Sequence, residues 1–414
     1  MAARLVMAGL LLASAPVSAR DQPMWVEAYQ SSPADYDFVI PAGMNLPPEA
    51  RERLRDRPPV TGTLRMRLTV AVQGKELRLR LSNEEGTTPL RVDAATIALA
   101  ADAFDARPGT IRQLSFGGAK AVTIPVGAPM LSDPVALPVE ASVDLVVSLL
   151  LPGGLKLKPF GNARMATANG DQTGAERLAA ADTIIGRPPV SGISVLVEKP
   201  TRVVVALGDS ITDGNRATFI TDAGWAAQLR RRLATERPSQ AVSVVNAGIG
   251  GNRVLSTSWG KSAIVRLDRD VLRIPHLSHV ILLEGINDIG YGGCSTLLGC
   301  NPPLDPADLI AGYRQIIARA HAAGARVIMG TLPPFAGSAN FSAEREAQRT
   351  AINRWIRTSG EPDFVVDFEA ALRDPKAPAA LAAAYDSGDH LHPSEAGYAA
   401  MARAFDLGWL EAGK

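Results

Sequence analysis

The sequence predicts an α/β domain built on a parallel sheet and preceded by a β-sandwich or jelly roll. Three observations lead there. Apolar and polar residues alternate strictly from about residue 60, as in half-buried antiparallel strands. The later half instead shows short, wholly apolar runs separated by helix-length segments, the pattern of buried parallel strands with crossovers. The change falls at Lys199-Pro200, and 414 residues are long for one domain. The expected organisation is therefore a leader over 1–19, a β-domain over 20–198 and an α/β domain over 199–414.

The leader has Arg4, an apolar run from Leu5 to about Ala15, and the small-residue ending Val17-Ser18-Ala19. This is the pattern of a secretory signal peptide cleaved after Ala19, which predicts a secreted or periplasmic protein. The run is shorter than the roughly 18 to 20 apolar residues that span a bilayer, so no stable membrane anchor is expected. Lys+Arg 43 against Asp+Glu 42 gives a net charge of +1, which argues against a nucleic-acid partner or an anionic-membrane patch. The densest basic run, Arg230 to Arg232, reads as a solvated helix face. The only two cysteines, Cys294 and Cys300, lie close together, and export predicts a disulfide that shapes their loop.

In the β-domain, Leu64, Met66, Leu68, Val70 and Val72 alternate with Arg65, Arg67 and Thr69. After Gln73-Gly74 the period returns as Leu77, Leu79 and Leu81 against Arg78 and Arg80, and a hairpin between the two runs is the natural expectation. Shorter runs follow near Val122 to Val126, Val143 to Leu151 and Ile193 to Val197. Aromatics are few, so the β-domain is expected to act as a packing partner more than as a glycan-binding module. Trp25, Tyr29 and Tyr36 are expected in core or edge packing, and Trp225 and Trp259 in buried packing, with the lining of a substrate crevice as the alternative.

The parallel strands are expected at Val203 to Leu207, Val242 to Val245, Val280 to Leu283, Val327 to Met329 and Phe364 to Val366. Functional groups in such sheets lie just past the carboxyl ends of strands. The first strand runs into Gly208-Asp209-Ser210, which places a hydroxyl at a strand-to-helix turn; a simple helix cap would use the same residues. The second ends in Asn246-Ala247-Gly248-Ile249-Gly250-Gly251-Asn252, where a glycine can bring its backbone N–H close to a substrate oxygen. It is not a dinucleotide fingerprint, since Arg253 stands where a third glycine belongs. The third ends in Glu284-Gly285-Ile286-Asn287-Asp288, whose Asn287 amide is an uncharged donor suited to a developing oxyanion. Near the end, Asp389 and His392 are spaced so that a carboxylate can orient an imidazole across a tight turn. Asp389, His390 and His392 as a metal site lack a second cluster of ligands.

These four segments, in this order, resemble the four blocks of the SGNH or GDSL hydrolases, serine esterases of flavodoxin-like three-layer fold. The resemblance covers about residues 200 to 412. It implies Ser210 as nucleophile, Asp389 and His392 as its partners, and an oxyanion hole of Ser210, Gly251 and Asn287, with no metal or organic cofactor. The segment Leu77 to Thr87 resembles the β-domain of a bacterial secreted branch associated with arylesterases and acetylesterases. The expected substrate is a short-chain, chiefly acetyl, ester of a carbohydrate or aryl alcohol, acetylated polysaccharide or oligosaccharide included. A lipolytic, lysophospholipase or thioesterase activity is one alternative, and the lack of a long apolar lid-like stretch counts against it. The other is an inactive carbohydrate-binding protein, for which the intact set of site residues has no use.

Overall fold

The computed structural model describes residues 22–34, 58–157, 161, 163–179, 181–216, 222–257, 259–292, 294–295, 299–300 and 303–411. The expected leader and Tyr36 lie outside these residues. So do the side chains of Cys294 and Cys300, whose backbones face each other in a short antiparallel pair.

Two large antiparallel sheets, with a small two-stranded one of Leu90–Val92 and Val122–Ile124, make up the first half. One places β1 (Met24–Gln30), β8 (Val190–Val197) and β3 (Gly74–Ser82) side by side. The other runs in the order β7 (Asp182–Gly186), β6 (Ala163–Ala168), β2 (Val60–Thr69), β5 (Asp144–Leu155) and β4 (Ala94–Leu99). Leu64, Met66 and Leu68 of β2 share one buried core with Leu77, Leu79 and Leu81 of β3.

The expected hairpin between β2 and β3 does not form. β2 pairs with β5 and β6, whereas β3 pairs with β8. The chain crosses between the sheets at Val70 and Ala71, whose N–H groups donate to Val143 O and Ala28 O respectively. Alternation fixes which face of a strand is apolar, but not whether the next strand lies beside it or across the core. Nor is the polar face of β2 wholly wet: Arg65 is 1% exposed. It donates to Ser148 Oγ and to the carbonyls of Phe104, Gln172, Ala175 and Glu176.

The second half is built on a parallel sheet whose strands correspond to the five expected runs: β9 (Arg202–Gly208), β10 (Val242–Gly248), β11 (Leu277–Leu283), β12 (Arg326–Gly330) and β13 (Phe364–Val366). Their order, β10-β9-β11-β12-β13, is that of flavodoxin-like sheets, with the topological switch beside β9. Its described helices are α1 (Ser210–Asp213), α2 (Trp225–Glu236), α3 (Ala263–Leu267), α4 (Ile286–Tyr291), α5 (Pro306–Ala322), α6 (Ala343–Thr358), α7 (Phe368–Leu372) and α8 (Glu395–Ala404). Trp225 is fully buried against Phe368. The basic run on α2 is not a solvated face. Arg230 is buried and paired with Asp222, and Arg232 donates to the carbonyls of Ala402 and Phe405 at the end of α8.

The halves share a continuous hydrophobic core. β1 lies against β10, where Ser243 Oγ donates to Glu27 O and Gln30 Nε2 donates to Asp270 O, both at 2.6 Å.

Replacing Arg65 by Met should strand several buried carbonyls and lower unfolding stability by about 2 to 4 kcal/mol. Urea denaturation measures this, and an unchanged midpoint would show that the carbonyls find other partners.

Candidate active site

Three strand ends meet at one level. Gly208 of β9 is in register with Gly248 of β10 and with Leu283 of β11. The segments that follow each strand therefore open on the same edge of the sheet, and all three sequence motifs there are neighbours. Close approach requires glycine at position 208, since a Cβ would lie 2.3 Å from Leu283 O.

Asp209 caps α1 by accepting from Ile211 N–H at 2.9 Å, which sets Ser210 at the first helical position. The segment before α8 brings the other two residues to it. Asp389 Oδ1 accepts from the backbone N–H groups of Leu391 and His392, and Oδ2 lies 2.7 Å from His392 Nδ1. His392 Nε2 lies 2.8 Å from Ser210 Oγ. With Nδ1–H directed at the carboxylate, the neutral ring points its lone pair at the hydroxyl. Burial opposes the charge on Asp389, but the side-chain bond and charge of His392 and the backbone N–H groups outweigh it. The carboxyl is held well below its usual range.

The two candidate oxyanion segments are tied to each other. Asn287, 4% exposed, donates from Nδ2 to Asn252 O at 2.9 Å. Asp288 accepts from the N–H groups of Val254 and Leu255. Gly251 has φ +73, and a Cβ there would lie 2.7 Å from the Trp259 ring, whereas a Cβ at Gly250 would meet open space. Both the backbone and the packing thus demand glycine at 251.

Beneath this edge lies a buried layer of acidic side chains that the motifs did not reveal. Burial, helped by the charge of Asp288, pushes the Asp209 carboxyl up to about 7 against the Ile211 N–H and Arg266. Burial likewise pushes Asp288 up to about 6 and Glu284 well above its ordinary value. Asn215 and Arg216 were also missed: Asn215 Nδ2 is 3.2 Å from His392 Nε2, and Arg216 is 3.4 Å from Asp389 Oδ2. Their only signal was proximity to Ser210 in sequence. Among the described residues no cluster of His, Cys, Asp and Glu is arranged to hold a metal, and no helix is long and apolar enough to cross a membrane.

Residues 206–400 match the model of the GDSL-like Lipase/Acylhydrolase family. No curated protein matches the chain. Among solved structures, the chain is similar to an acetylxylan esterase from Geobacillus stearothermophilus, at 23% identity over 49% of this chain and 92% of that one, with a TM-score of 0.40. It is also similar to an alpha/beta hydrolase enzyme from the metagenome of Lake Arreo, Spain, at 23% identity over 51% and 97%, with a TM-score of 0.40.

The buried acids predict a pH dependence of stability. A carboxyl whose folded pKa is raised stabilises fully below its unfolded pKa, and that stability is lost as pH rises through the folded value. Unfolding free energy should therefore fall from about pH 4 towards 7, where Asp209, Asp288 and Glu284 hold protons that the unfolded chain releases. Glu284→Gln should make this slope shallower, because the amide has no proton to lose on unfolding. Denaturation across that range checks it; parallel curves would mean that Glu284 is ionised in the fold.

Proposed function

From the GDSL-like lipase/acylhydrolase domain that forms the C-terminal half of this chain, a family of carboxylic ester hydrolases, we propose that the protein cleaves esters through an acyl-enzyme on Ser210. The observation that carries this is the unbroken relay from Ser210 Oγ through His392 to Asp389, at 2.8 and 2.7 Å. His392 Nε2 takes the Ser210 proton as Oγ attacks the ester carbonyl, and Asp389 steadies the imidazolium. The proton then passes to the alcohol oxygen as it leaves. Water, deprotonated by the same nitrogen, attacks the acyl-enzyme and frees the acid and Ser210. The oxyanion is held by the backbone N–H groups of Ser210 and Gly251 and by the Asn287 amide.

The finer substrate proposal is a short acyl group, chiefly acetyl, on a carbohydrate or aryl alcohol. Its support is the polarity around His392, where Asn215 and Arg216 offer donors to a hydroxylated leaving group, together with the lack of a long apolar lid-like stretch in the sequence. Export behind the leader and a Cys294–Cys300 disulfide belong to the same proposal. The backbone pairing of the two cysteines suits a cross-strand bridge.

Ser210→Ala should abolish hydrolysis of p-nitrophenyl esters, and wild type should prefer acetate to long acyl chains and release acetate from acetylated polysaccharide. A long-chain preference would favour a lipolytic enzyme. Activity equal to that of Ser210→Ala would leave only a binding role. Asn287→Ala should lower kcat by roughly 10² to 10³, and a fully active variant would remove Asn287 from the oxyanion hole.

A further inference from the structure

Asn215 lies at the reacting nitrogen and has no part in the relay. Its carboxamide nitrogen is 3.2 Å from His392 Nε2, the atom that also faces Ser210 Oγ at 2.8 Å. The backbone there is fastened on both sides. Asn215 N–H donates to Ser210 O, and its carbonyl accepts from the buried Tyr398 hydroxyl at 2.6 Å. Gly214 before it is left-handed at φ 88, and Arg216 after it is left-handed at φ 67. Two consecutive side chains thereby reach the two ends of one imidazole–carboxylate pair, Asn215 at Nε2 and Arg216 at Asp389 Oδ2.

A neutral imidazole has one lone pair at Nε2, and both Ser210 and Asn215 are within reach of it. Once the Ser210 proton has moved to Nε2, that nitrogen is a donor, and Oγ, now bonded to the acyl carbon, is a poor acceptor. A carboxamide carries a donor and an acceptor on the same carbon, so a half-turn of its terminal torsion offers Oδ1 to Nε2–H. We infer that Asn215 is a further catalytic residue, which holds the His392 imidazolium between the formation and the collapse of each tetrahedral intermediate. The proton leaves Ser210 Oγ for Nε2 as the Oγ–C bond forms and the carbonyl π pair moves to oxygen. It leaves Nε2 for the alcohol oxygen as the old C–O bond breaks. Asn215 exchanges neither protons nor electrons; it shares the Nε2–H with the departing oxygen. The inference rests on the acyl-enzyme reading above.

The test is the pH dependence of p-nitrophenyl acetate hydrolysis by wild type, Ser210→Ala, Asn215→Ala and Asn215→Asp. Asn215→Ala should lose roughly ten- to a hundredfold in kcat with KM little changed, the worth of one hydrogen bond to a charged group. Asn215→Asp should move the acidic limb of kcat/KM up by about one pH unit, because a carboxylate beside Nε2 favours the protonated ring. The limb shift shows that the side chain at 215 faces Nε2, and the loss of kcat at little-changed KM shows that Asn215 itself acts there. Wild-type kcat in Asn215→Ala, or an unmoved limb in Asn215→Asp, would overturn the inference while leaving Ser210 chemistry intact. Wild type no faster than Ser210→Ala would overturn both.

Discussion

The guanidinium of Arg266 holds the site edge together. It is fully enclosed, and it donates to Gly208 O at the end of β9, Ala247 O in β10, Asn252 Oδ1 in the second motif and Ser32 Oγ in the β-domain. Asp270, 2% exposed, takes the remaining charge at 3.1 Å. A buried cation is costly unless it is paired and its donors are satisfied. Here each of its three nitrogens has a partner, and those partners are the pieces that must keep a fixed spacing for Ser210 and the Gly251 turn to serve one carbonyl group. The same cation stabilises whatever negative charge Asp209 carries beneath the nucleophile.

The β-domain takes part in this arrangement. Arg187, between β7 and β8, pairs with Asp213 at 3.0 Å and donates to Gly248 O, so it grips both α1 and the end of β10. Ala34 packs with Ile249 and Trp259, and Trp259 is the ring that a side chain at Gly251 would strike. Glu85 accepts from both Lys261 and Arg269. Side chains of this β-rich half that end under the candidate oxyanion turn contribute to the rigidity of that turn.

Much of this was legible from the sequence, for a physical reason. Buried parallel strands are written as local apolar runs, and the chemical groups sit where those runs stop, so Ser210, Gly251 and Asn287 could be placed on one edge without knowing a single contact. The Asp389 to His392 spacing is equally local, a turn whose carboxylate caps the backbone of the residue it orients. What could not be read is set by partners distant in sequence. The period of β2 and β3 was right and their pairing wrong, because a sandwich and a hairpin bury the same faces. Arg65, Arg230 and Arg266 look like surface residues until the carbonyls and carboxylates that satisfy them are known. Asn215 carries no pattern at all, and its place depends on a hydroxyl from α8.

The central claim is that Ser210 is a nucleophile activated through His392, and stoichiometric labelling tests it most directly. Incubation with an organophosphate ester, followed by intact and peptide mass spectrometry, should show one phosphoryl group per chain, on Ser210, and none on His392→Ala under the same conditions. Label on a different residue, or equal labelling of Ser210 without His392, would contradict the account.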